Sequence, residues 1–436
     1  MLFDESNRLR PLAHAVIPGG AHTYAKGDDQ FPEESPGFIV RGSGCHVWDA
    51  DGNEFVEYGM GLRSVTLGHG YAPVVEAAAR QMAQGLNFSR PATIELTAAE
   101  RLRTALGVPD RMVKFAKNGS DVTSAAVKLA RAFTGRDLIA ICADHPFFST
   151  DDWFIGTTGM PGGIPGAIRD LTVRYRYNDL ASVEALVAEH PGKIACLVQE
   201  VETTEPPAPG FLAGLRALCD RHGIVLIIDE IITGFRWHLR GASHVHGVQA
   251  DLTSYGKALG NGFAVAALVG RADIMALGGL RTDQERVFLL STTYGADTHT
   301  LAATMAVLDV YEREPVIEHL HRQGRRLAEG VTAAAAAHGL QDFVGVAGRD
   351  SNLIYLTRDA DGERSQPFRT LFLQELIRRG VIAPSFVVSY SHTDADIDRT
   401  IEAVDGALAV YAKALSDGVE AYLVGRAVKP VFRPYV

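Results

Sequence analysis

Five consecutive branched aliphatic residues, Ile224 to Ile228, follow Gly223 and run straight into Asp229 and Glu230. An apolar run with no polar interruption suits a strand buried on both faces, as in a parallel sheet covered by helices. The pattern repeats. From Met112 onward, apolar segments at 112–116, 138–142, 194–199, 223–229 and 264–269 alternate with helical segments at 120–133, 180–189 and 211–222. This alternation predicts an α/β fold built on a mainly parallel sheet. In such sheets ligands bind beyond the carboxyl ends of the strands, where both Asp229 and the Asn118–Ser120 turn fall.

Upstream, WDADGNEF (48–55) reads as strand, Asp-Gly turn and strand, and 73–85 and 95–106 read as helices. Past residue 320 the pattern changes to an alanine-rich helix at 324–338 followed by shorter elements. At 436 residues the chain exceeds one ordinary core. The expected division is an N-terminal segment 1–60 that joins a smaller α+β domain, a large domain 61–320, and a C-terminal segment 321–436 that completes the smaller one.

Several function classes drop out on composition. A net charge of −10 without a basic stripe argues against nucleic-acid binding. No apolar run approaches the roughly 18–20 residues of a membrane span. The opening MLFDESNRLR lacks the apolar core of a signal peptide. The four cysteines lie far apart with no Cys-x-x-Cys pair, as expected of reduced thiols in a cytoplasmic protein.

Three local features carry chemistry. A carboxylate at the end of a buried strand, here Asp229, can hold a pyridinium nitrogen protonated, although strand-end acids more often cap a helix or pair with arginine. The strand also resembles the acidic strand of P-loop ATPases, but the chain contains no GxxxxGK[ST]. In SYGKALGNG (254–262), Lys257 stands among glycines. A lysine that forms a Schiff base must be neutral and sheltered, whereas a lone lysine is usually a solvated charge. The turn Asn118-Gly119-Ser120-Asp121 precedes a helix, where backbone N–H groups, the Ser120 hydroxyl and the helix dipole favour a dianionic phosphate; the bland alternative is an ordinary N-cap. Jointly they form the parts of a pyridoxal 5′-phosphate site: a lysine for the aldehyde, an acid for the ring nitrogen and a cradle for the phosphate. HExxH, GxSxG and EF-hand patterns are absent, and HVH (244–246) and HLH (319–321) read as surface or packing histidines, so no metal site is expected.

With IPGG (17–20), VWDADGNEFVEYG (47–59), LGHG (67–70), LARAFTGR (129–136), DEIITGFR (229–236) and GRAVKPVFRPY (425–435), the chain resembles the class III aminotransferases of the fold-type I pyridoxal-phosphate enzymes. Within them it is most similar to the glutamate-1-semialdehyde aminomutase branch. The resemblance implies a large domain around a seven-stranded, mainly parallel sheet and a smaller α+β domain. It makes Lys257 the Schiff-base lysine, Asp229 the ring-nitrogen partner and Ile231 a residue packed on one ring face. Asn118, Gly119 and Ser120 become the phosphate turn. Thr293 becomes the threonine that reaches the phosphate of the neighbouring subunit, which implies a homodimer with shared sites. Glu200 corresponds to the glutamate of the family's Val-Glu-Pro segment, with Val201 in place of proline.

The departures concern the substrate end. The family's aromatic-His-Gly segment is replaced by DHPFF (144–148), which leaves His145 and Phe147 as alternatives for stacking on the cofactor. Lys26 stands where the aminomutases have a carboxylate-binding arginine, and Arg63 where they have glycine, beside Leu62 in place of tryptophan. Lys26 and Arg63 are the substrate-binding candidates. The activity implied is transfer of an amino group from a small donor amine to a carbonyl acceptor in a ping-pong cycle. An amino shift within one molecule, or inversion of a stereocentre, is the alternative. A non-catalytic binding relative is disfavoured because Asp229 and Lys257 are both present.

Overall fold

The computed structural model describes residues 1–144, 147–433 and 435. Its strands are β1 (Ile39–Ser43), β2 (His46–Asp49), β3 (Glu54–Glu57), β4 (Met112–Ala116), β5 (Leu138–Cys142), β6 (Thr172–Tyr175), β7 (Ile194–Glu200), β8 (Val225–Asp229), β9 (Leu252–Tyr255), β10 (Ala266–Gly270), β11 (Val344–Ala347), β12 (Ile354–Thr357) and β13 (Val381–Ile382). Two compact units result, one from Met1–Tyr71 with Glu318–Arg433 and one from Ala72–Ile317.

The unit Ala72–Ile317 holds a seven-stranded sheet in the order β4-β10-β9-β8-β7-β5-β6. Neighbours from β9 through β6 pair in parallel, and β10 runs antiparallel to both β4 and β9. Every residue of β7 and β8 is buried, as the uninterrupted apolar runs require. On one side, Leu186 and Val187 of helix Leu180–Glu189 and Leu215, Leu218 and Cys219 of helix Phe211–His222 join Leu197, Leu226 and Ile228 in one cluster. Helix Gly119–Thr134 buries Val122, Ala126, Leu129 and Ala130 and packs against β7, β8, β9 and β10. The expected strands at 112–116, 138–142, 194–199, 223–229 and 264–269 all form; β6 and β9 are additions.

The unit Met1–Tyr71 with Glu318–Arg433 contains the sheet β1-β2-β3-β13 and the hairpin β11-β12. The Asp-Gly turn predicted within 48–55 joins β2 to β3, with the Asp49 carboxylate accepting the N–H groups of Asp51 (3.0 Å) and Asn53 (2.7 Å). Phe3, Val47, Phe55, Leu373, Ile377 and Ile382 form a core beneath it. Donor atoms of Cys45, His46 and Asp396 lie within 4.8 Å of one another. Their contacts are those of a capped helix: Asp396 accepts from His46 (2.9 Å), Cys45 (3.4 Å) and the Thr393 N–H (2.9 Å) at the start of helix Asp394–Asp417. Among the described residues no helix is long and apolar enough to cross a membrane.

Candidate active site

The carboxyl ends of β4, β7, β8 and β9 share one edge of the large sheet. β10 fixes their register: Ala266 pairs with Ala116, the last residue of β4, and Ala267 pairs with Tyr255, the last residue of β9. The Asn118–Ser120 turn and Lys257 therefore leave the sheet beside the first residues of one strand. Across β8, Asp229 is in register with Glu200 on β7 and with Ser254 on β9. Residues far apart in sequence thus converge.

Ile231 packs into the middle of this edge. A Cβ built on Gly119 would lie 3.1 Å from Ile231 Cδ1, and one on Gly256 would lie 3.1 Å from the same atom. The backbones of both glycines close on that one side chain, and a methyl group at either would require it to give by a few tenths of an ångström.

The two acids at 229 and 230, the last residue of β8 and the first beyond it, face different partners. Asp229 is 3% exposed and takes one hydrogen bond, from the Ile231 N–H at 2.8 Å. Burial pushes its carboxyl up, to about 7, against the pull of that N–H and of the Lys257 charge, while Glu230 adds to the rise. Glu230 is fully buried and accepts from the Ala242 N–H (2.9 Å), the Ser243 N–H (2.7 Å), the Ser243 hydroxyl (2.6 Å) and the Thr233 hydroxyl. Its role is structural: it ties the β8 exit to the Ala242–Val245 helix start.

Lys257 follows Gly256 and is half-buried, with a left-handed backbone (φ 45°) that costs a non-glycine residue about 1 kcal/mol or more. Strain held at a reactive side chain fits a position that geometry over-determines. At the third strand end, Asn118 caps helix Gly119–Thr134 by accepting the Asp121 N–H at 3.0 Å. Helix geometry leaves the Gly119 and Ser120 N–H groups without intrahelical acceptors. The Ser120 hydroxyl accepts the Thr150 N–H at 3.0 Å, which leaves its own proton to donate.

These features fit pyridoxal phosphate. A carboxylate with one hydrogen bond, buried beside a cation, suits a protonated ring nitrogen, because a buried anion needs charge and hydrogen-bond partners. Ser254, in register with Asp229, adds a buried hydroxyl without a hydrogen-bond partner at the same level. Two N–H groups, a hydroxyl proton and a helix N-terminus of 16 residues suit a dianionic phosphate.

The remaining expected residues are placed as follows. Glu200 ends β7 and is 6% exposed. Thr293 lies in an exposed turn, its carbonyl accepting from Asn87 Nδ2 at 2.9 Å. Phe147 is 41% exposed and sets its ring edge-to-face with Phe154 at 5.5 Å. His145 lies outside the described residues. Lys26 and Arg63 belong to the other unit. Lys26 is exposed at the end of the short turn Tyr24–Lys26. Arg63 ends a run of four residues, Met60 to Arg63, all with positive φ, and donates to Asn352 Oδ1 at 2.7 Å and Ser385 Oγ at 3.3 Å. Sequence reading missed Gly256 and Glu230 as structural members of this edge. The glycine preceding the lysine was the available signal for the first.

Comparison with known proteins agrees with this chemistry. The family model described as aminotransferase class-III matches residues 27–147 and 150–408. A glutamate-1-semialdehyde 2,1-aminomutase from Syntrophobacter fumaroxidans is 33% identical over 432 residues, covering 93% of this chain and 98% of that one. Among solved structures, the FumI protein of Sphingopyxis sp. MTA144, in a pyridoxal-phosphate form, superposes with a TM-score of 0.85 at 27% identity, covering 94% of this chain and 97% of that one. An omega-transaminase from Sphaerobacter thermophilus gives a TM-score of 0.83 at 27% identity, covering 94% and 98%.

Proposed function

The chain belongs to the class III aminotransferase family, and from that premise we propose that it moves an amino group from a small donor amine to a separate carbonyl acceptor. It is a pyridoxal-phosphate-dependent enzyme of fold type I. The observation that carries the residue assignment is the convergence of Asp229, Ile231, Gly119 and Gly256-Lys257 on one sheet edge.

When bound, the cofactor supplies an electron sink for bonds broken at the substrate's amine-bearing carbon. The chain's residues do the rest. Lys257 is the residue that would hold the cofactor's aldehyde group, and its ε-nitrogen is the base that would accept a proton from the substrate's amine-bearing carbon. Asp229 would keep the cofactor's ring nitrogen protonated. Ile231 packs between the backbones of Gly119 and Gly256, at the foot of the lysine. Gly119 and Ser120, with the Asn118 cap, hold the phosphate, and Glu200 lines the edge beside Asp229. Phe147 and His145 remain alternatives for the stacking role. Lys26 and Arg63 are the candidates for holding the acceptor. Lys26 stands at the family arginine's position but lacks its planar fork, and Arg63 stands at another position, which favours an acceptor other than a plain α-keto acid, such as a sugar-derived or specialised-metabolite carbonyl.

A homodimer in the cytoplasm completes the reading. Thr293 stands on the surface among strongly exposed apolar side chains, including Phe288 (72%) and Tyr294 (62%), as a residue offered to a second copy would. Four free, buried cysteines suit a reducing compartment.

The second reading, an amino shift within one molecule, is favoured by the aminomutase relatives at 32–33% identity. Incubating the purified enzyme with a panel of amines, with and without a carbonyl acceptor, separates the two. Turnover that consumes a second carbonyl compound supports transfer, and rearrangement of a single substrate without one overturns it. A Lys257→Ala variant that still bound the cofactor covalently would remove the lysine assignment itself.

A further inference from the structure

Lys117 directly precedes the anion turn, and its ammonium lies 2.6 Å from Asp297 Oδ2. It also donates to the Ala264 carbonyl at 3.4 Å. Asp297 closes the segment that carries Thr293 and stands at the N-cap of helix Thr298–Arg313. One ion pair therefore joins this chain's anion turn to the segment whose Thr293 is read as reaching the neighbouring subunit's phosphate.

The pair differs from a solvated surface contact, whose worth is small. Its side chains are 24% and 12% exposed. Asp297 Oδ1 is buried without a hydrogen-bond partner, so the carboxylate relies on Lys117 for its charge. The nearby His299 is held towards its neutral form by burial and by the Lys117 charge, against the pull of Asp297. The ammonium in turn is committed to Asp297 and Ala264.

We propose that Lys117 and Asp297 are positioning residues whose ion pair latches the Asn118–Ser120 turn to the 293–297 segment and thereby sets the affinity for the cofactor's phosphate. The proposal rests on Gly119 and Ser120 being the phosphate cradle.

The test titrates cofactor-free protein, by equilibrium dialysis, with pyridoxal 5′-phosphate and with pyridoxal, which lacks the phosphate. Asp297→Asn keeps the side-chain volume, and no side-chain capping bond is lost with it, so it reads out even where Lys117→Met folds poorly. Each single variant is expected to weaken pyridoxal 5′-phosphate about tenfold, the scale of coupling between linked sites. Pyridoxal binding should stay unchanged, the double variant should be no worse than either single, and Lys117→Arg should retain affinity. Unchanged affinity in Asp297→Asn, or equal weakening of both ligands, overturns the latch. A double variant that multiplies the single effects also overturns it, because Lys117 would then act on the phosphate directly. Ser120→Ala separates the underlying reading: if that variant keeps the full preference for the phosphorylated ligand, the cradle assignment fails rather than the latch.

Discussion

Ile231 and Gly119 meet so closely that a methyl group added to the glycine would stand 3.1 Å from the isoleucine Cδ1. The contact joins the strand end bearing the acid to the turn that offers its N–H groups to an anion. Gly119→Ala should therefore displace either Ile231 or the turn. We expect cofactor affinity to fall about tenfold with the secondary structure intact, since overpacking costs about 1–3 kcal/mol. Cofactor titration beside far-ultraviolet circular dichroism measures both, and unchanged affinity contradicts the contact's importance.

Asp229 gives a pH signature. Burial raises its carboxyl from the ordinary 3.8 to about 7 in the folded protein. A raised value means the acid's contribution is full below its unfolded-state value and is lost as pH rises through the folded one. The urea stability of cofactor-free wild type, relative to Asp229→Asn, should accordingly decline between about pH 4 and pH 7. A difference that grows with pH would reverse the sign and refute the assignment. Bound cofactor, by placing a cation beside the acid, should flatten the decline.

Glu230 should behave unlike its neighbour. Its carboxylate satisfies two N–H groups and two hydroxyls in a fully buried site. Glu230→Ala strands those donors and should cost about 3 kcal/mol or more. Asp229→Asn should instead lose catalysis with little loss of stability. Denaturation and activity assays of the pair of variants check the contrast.

The left-handed backbone of Lys257 invites a comparison of two inactive variants. At φ 45° glycine is relieved and alanine is not. Lys257→Gly should be more stable than Lys257→Ala by about 1 kcal/mol, the reverse of their usual order in regular structure. Equal stabilities would mean that the residue's backbone relaxes once its side chain is gone.

Much of this was legible in the chain because burial leaves a one-dimensional trace. β7 and β8 announce themselves as unbroken apolar runs, and the acid and the glycine-flanked lysine sit at strand ends where ligands bind. β9 reads Leu-Thr-Ser-Tyr, and its polar Thr253 and Ser254 hid a strand that lies inside the sheet. β6 is a short edge strand with only Tyr175 buried, too weak a pattern to stand out. The alanine-rich helix begins at Val316 rather than 324, because Gly324 looks like a break. In the fold it is a close approach: a Cβ there would lie 1.7 Å from the Asp350 carbonyl oxygen. The lodging of Ile231 between two glycines, and the Lys117–Asp297 pair, depend on residues remote in sequence. No local pattern encodes them.

The strand β10 has a consequence for how the protein matures. It is the last of its sheet to be made, yet it lies between β4 and β9 and sets both the anion turn and the lysine in place. A chain still lacking that insertion can align Asp229 with its neighbours on β7 and β9, but the anion turn and the lysine lack the strand that sets them side by side. Capture of the coenzyme thus reports that the sheet has closed, and mass action then holds it closed.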